Sequence, residues 1–134
     1  MSTFRYAHAA SDFATAALNW VTCVPKVMLV DAGYVPSATH QYVTSITSSA
    51  IAVRDLAMTS VAQTDGVCSG TVADASALIW PNPIVAMIIY ASTGVDATSR
   101  LIYYSSDGIG FPLTAVGFNY SVAFDQTHAG WFQV

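Results

Sequence analysis

Residues 84–91 read IVAMIIYA, and this stretch decides the fold. Eight successive apolar positions leave neither face of an extended chain polar. Neighbouring side chains on a strand point to opposite sides. The segment therefore reads as a central strand covered on both faces. It is also far short of the ~20 residues that a helix needs to cross a bilayer. Pro81-Asn82-Pro83 stops whatever precedes it, and Ser92 to Ala97 forms the following loop.

Outward from this core, the chain keeps the grammar of short strands. Lys26 to Asp31 is a second buried strand, ended by Gly33-Tyr34-Val35-Pro36. Ser37 to Ile46 is a connection with one helical turn. Ser48 to Val61 alternates apolar and polar positions, but the pattern breaks at Arg54-Asp55, which predicts a bulge or two shorter strands. Thr71 to Trp80 and Ser99 to Ser106 are extended, with turn signals at Asp65-Gly66 and Asp107-Gly108. From Thr114 to Asp125 large residues recur at even positions, strict period two over a full strand. Trp131 to Val134 adds a last short strand.

The beginning differs. Phe4, Ala7, Ala10, Phe13, Ala14, Ala17 and Leu18 recur at spacings of three and four, and Ser2 or Thr3 can cap them. This predicts a helix over residues 1–18. The fold expected is mainly β: an antiparallel β-sandwich or jelly-roll-like barrel over residues 19–134, with one N-terminal α-helix. The whole chain, 1–134, is read as a single domain.

Hydrophobic residues make up 54% of the chain and charged residues only 9%, far below the ~25% of an average soluble domain. Such a surface is covered by serine, threonine and small apolar groups, which suits a protein engaged in assembly contacts. The net charge is −4 and the four basic residues are scattered, which argues against nucleic acid as a partner. The absence of long apolar runs argues against a membrane, and MSTFRYAHAASDF lacks the pattern of a signal peptide. Cys23 and Cys68 have no zinc-type spacing and read as two free buried thiols, although a Cys23–Cys68 disulfide is also possible.

Few of the polar residues fall into patterns that carry chemistry. Asp31, His40 and Ser45 occur in an order compatible with a catalytic triad, but no GxSxG elbow accompanies them. The simpler reading has Asp31 accepting backbone N–H groups in the turn after its strand, while His40 and Tyr42 pack the connection against the sandwich. His8, His40 and His128 show no metal-binding spacing, and Asp96 and Asp107 read as turn aspartates. No enzyme activity, catalytic residue, cofactor or metal is expected. Tyr34, Arg100, Tyr103, Tyr104 and Trp131 are the candidate interface residues. Tyr103 and Tyr104 are adjacent, so they face opposite sides of a strand, and tyrosine in a charge-poor surface suits an interface.

Several segments together resemble a family of small virion proteins of tailed bacteriophages. They are the Trp20 segment after a leading helix, the strand Lys26 to Val30, the connection Tyr34 to Ile46 with Pro36 and His40, and the hairpin Tyr90 to Ile102 with Thr93-Gly94 and Asp96-Ala97-Thr98-Ser99. In size and β-rich build the chain is similar to capsid decoration (cement) proteins. That resemblance implies a protein made in the host cytoplasm and carried on the outer capsid surface of the virion. Its partner would be the major capsid protein, with self-association into a homo-oligomer on the shell. A tail, neck or head-fibre component is the alternative. A carbohydrate-binding sandwich, with Tyr103, Tyr104 and Trp131 stacking on sugars, is a more remote one.

Overall fold

A computed structural model of the chain describes residues 3–64, 67–72, 75–78, 80–106, 120–122 and 132–133. Nine strands are described: β1 (Thr3–Arg5), β2 (Pro25–Asp31), β3 (Ile51–Thr64), β4 (Val67–Val72), β5 (Ala75–Leu78), β6 (Ile84–Ala91), β7 (Arg100–Ser105), β8 (Tyr120–Val122) and β9 (Phe132–Gln133). One α-helix, α1, spans Ala7–Ala14. The main sheet has the order β1-β7-β6-β2-β3-β4-β9, every neighbouring pair antiparallel, and β5 pairs with β8 separately. The sheet curls into a half-barrel, so the fold is mainly β, as the sequence predicts.

IVAMIIYA is β6, flanked by β2 and β7 inside the sheet. Ile84, Ala86, Ile88 and Ile89 are fully buried, and so are Val27 to Val30 of β2. Consecutive buried residues confirm cover on both faces. Each such Ile, Val, Leu or Met side chain stabilises the fold by about 1.5–3 kcal/mol relative to exposure. Tyr6 just before α1, Ala9 in it, and Tyr34, Val43, Ile46 and Ala50 from the connection after β2 join the same core.

The curl has a local cause in β3. Its register with β2 shifts between Leu56 and Val53, and its register with β4 shifts between Thr59 and Ala62. Asp55 (φ 61°) and Ser60 (φ 53°) lie in these two interruptions. Each is a bulge with a residue in the left-handed region, and bulges bend a strand and raise its twist. The Arg54-Asp55 break in alternation is the sequence trace of the first bulge.

The helix expectation needs correction. Helix α1 is only eight residues long, and Thr3–Arg5 forms the edge strand β1, with Phe4 opposite Tyr104. Phe4 stacks on the Tyr104 ring at 5.0 Å and meets Tyr6 edge-on at 5.2 Å, so aromatic packing holds this segment extended. At the other end Ala16 takes φ 63° and Leu18 N–H returns to the Asp12 carbonyl, which closes the helix. Ser2 and most of Thr114–Asp125 lie outside the described residues, apart from Tyr120–Val122 in β8.

Candidate functional site

The Asp31, His40 and Ser45 constellation is not assembled. Strand β2 ends at Asp31, whose Oδ1 accepts the Gly33 N–H (2.8 Å) and whose Oδ2 accepts Trp80 Nε1–H (2.9 Å) and Asn82 Nδ2–H (3.1 Å). His40 instead bonds Tyr34 through Nδ1 (2.8 Å), and the Tyr34 hydroxyl also bonds that of Tyr6 (2.9 Å). The turn role read for Asp31 and the packing role read for His40 are therefore what the structure places there. Burial works against ionising Asp31, but the three donated hydrogen bonds outweigh it and hold the carboxyl below the usual aspartate range.

Asp31 lines an open hollow of about 710 Å³ together with Ala32, Gly33, Ser49, Ala50, Asn82, Pro83 and Val85. Two features keep this space. The residues after the strand are small, and the Pro81–Pro83 segment is pinned through Trp80 and Asn82 to the same carboxylate. A Cβ at Gly33 would fall 2.9 Å from Asp31 Oδ1 and 3.3 Å from the Ala50 methyl, so glycine is what permits this close turn.

The candidate interface residues do not form one exposed face. Tyr34 and Tyr104 are each only 5% exposed, and this corrects their reading as contact residues. The cause is their packing: Tyr34 is tied to Tyr6 and His40, and Tyr104 is stacked on Phe4 within the core. Tyr103, next along β7, is half-buried, as alternation requires. Arg100 is drawn inward as well. Its guanidinium meets Asp12 of α1 at 2.6 Å and lies 4.5 Å from the centre of the Tyr42 ring. Trp131 lies outside the described residues.

Exposed apolar groups sit elsewhere, at Val21, Val24, Val35 and Val95. Their sequence signal is a valine inside a loop or turn, which periodicity does not score. The charges, by contrast, are turned to one another. Arg54 holds Asp96 through two hydrogen bonds (2.5 and 3.1 Å) and approaches Asp55 at 3.4 Å, while Lys26 lies 3.8 Å from Asp55. The Arg54 guanidinium holds Asp96 below the ordinary aspartate range.

Cys23 and Cys68 are free thiols, Cys23 half-buried and Cys68 buried. Burial pushes each up to about 11. Among the described residues no group of three or more His, Cys, Asp or Glu side chains could hold a metal ion, and no helix is long and apolar enough to cross a membrane. Comparison with protein-family models, with curated proteins and with solved structures gives no match to this chain.

Proposed function

We propose that this chain is a bacteriophage virion structural protein, a capsid decoration protein that binds the outer surface of the major capsid protein shell and stabilises it. The observation that carries the reading is the disposition of charge. Three of the four basic side chains, Lys26, Arg54 and Arg100, face aspartates of the same chain. What remains on the described surface is largely serine, threonine, alanine and the four exposed valines. Such a surface repels its neighbours weakly and loses little on desolvation, which suits a protein used in many copies against a fixed partner. The resemblance of the segments around Trp20, Tyr34 to Ile46 and Tyr90 to Ile102 to small phage virion proteins points the same way.

The mechanism is mechanical. Each copy buries surface against neighbouring shell subunits, and a specific contact of this kind covers roughly 1,200–2,000 Å² in total. Repeated over a closed shell, modest contacts add resistance to the pressure of packaged DNA. Particles stripped of the protein are expected to burst at lower temperature or milder osmotic shock, and purified protein added back is expected to restore them. Particles equally resistant with and without it would contradict the reading.

A further inference from the structure

Asp31 differs from every other described aspartate. Asp12 is met by Arg100, Asp55 by Lys26 and Arg54, and Asp96 by Arg54. Asp31 is met only by neutral donors, from Gly33, Trp80 and Asn82. A carboxylate has about four lone-pair sites. Two donors occupy Oδ2 and one occupies Oδ1, so Oδ1 keeps a place for one more. Asp31 is only 3% exposed, yet it lines the hollow, and Gly33 packs so closely beside Oδ1 that a Cβ there would come within 2.9 Å of it.

The rest of the hollow narrows the ligand. Ala32, Ala50, Pro83 and Val85 give it apolar walls. That lining suits an aliphatic stem ending in a charged tip, the shape of lysine or arginine. A divalent metal wants six or more oxygen ligands, and no metal-ligating group of three stands among the described residues. We propose that this hollow receives one lysine or arginine side chain presented by the protein that this chain docks against. The identity of that partner rests on the shell-binding reading; the chemistry of the hollow does not.

The test uses the intact purified chain and three probes: the N-acetyl methylamides of lysine, arginine and norleucine. Binding is followed by the NMR signals of the Gly33 amide and the Trp80 indole N–H. The two cationic probes are expected to move both signals in a saturable manner and norleucine to leave them in place. Asp31→Asn removes the charge. Ser49→Phe, at an exposed rim position, blocks the hollow while leaving the core untouched, and each is expected to weaken binding about tenfold or more. Signals unmoved by the cationic probes, or moved equally by norleucine, overturn the proposal. A second arm measures attachment to stripped particles. Ser49→Phe protein that attaches as well as wild type overturns the docking role and leaves the shell reading standing. Wild-type protein that binds the cationic probes but no particle overturns the shell reading and leaves the hollow standing.

Discussion

Tyr90 and Asp55 bond each other twice across the sheet. The Tyr90 hydroxyl donates to Asp55 Oδ1 at 2.7 Å and accepts the Asp55 backbone N–H at 3.0 Å. Tyr90 is 1% exposed in β6, and Asp55 is the left-handed residue of the first β3 bulge. One buried hydroxyl thus fixes the irregularity that bends the longest strand.

Tyr90→Phe keeps the ring and removes both bonds. It is expected to destabilise the chain by about 1–3 kcal/mol, read from urea unfolding. Asp55→Gly relieves the positive φ while losing the carboxylate. The two changes share one interaction, so their double mutant is expected to cost less than the sum of the single ones. Full additivity would mean that the hydroxyl does not hold the bulge.

Arg100 ties α1 to the connection after β2 through Asp12 and Tyr42. Arg100→Lys preserves the charge but loses the planar group that both reaches the carboxylate and lies over the ring. A loss of about 1 kcal/mol is expected for it and about 2 kcal/mol for Arg100→Ala, because the pair is mostly buried. Thermal unfolding checks this, and Arg100→Lys behaving as wild type would reduce Arg100 to a simple charge.

Acid should weaken the fold through Asp31 and Asp96, both held below the ordinary aspartate range. For a group depressed in the folded state, the stabilisation is present above its unfolded value of about 3.9 and disappears as pH falls through the folded value. Unfolding free energy is therefore expected to fall below about pH 4. Asp31→Ala, which strips a partner from three N–H groups, should cost about 2–4 kcal/mol at neutral pH and flatten that acid limb. An unchanged acid limb would show that Asp31 titrates alike in the folded and unfolded chain.

The thiols offer a kinetic check. With both raised to about 11 from an ordinary value of 9.0, the thiolate fraction at pH 8 should be about a hundredfold lower than in the unfolded chain. Alkylation of native protein is expected to be slower by at least that factor, and to rise about tenfold per pH unit up to pH 11. Rapid labelling of Cys23 at pH 8 would contradict its placement.

What the sequence made legible was local. IVAMIIYA reads as a central strand because eight apolar residues leave no polar face, and the Asp31-to-Gly33 turn is readable because the bond spans two residues. The broken alternation at Arg54-Asp55 marked the bulge, though not the tyrosine 35 residues away that holds it. Thr3–Arg5 reads as helix by local pattern because its strand partners lie about a hundred residues along the chain, where no local pattern reaches. The hollow was hidden for the same reason: Trp80 and Asn82 meet Asp31 across 49 and 51 residues. Tyr34 and Tyr104 looked like surface tyrosines, since composition cannot tell a tyrosine that finds buried partners from one that faces solvent.

The proposed place of this protein on the outside of a phage shell is checked by its copy number in purified particles, quantified against the major capsid protein. Copies in numbers comparable to the capsomers, accessible to protease on the intact particle, are expected. A handful per particle, as in a neck or tail ring, or none at all, would contradict it.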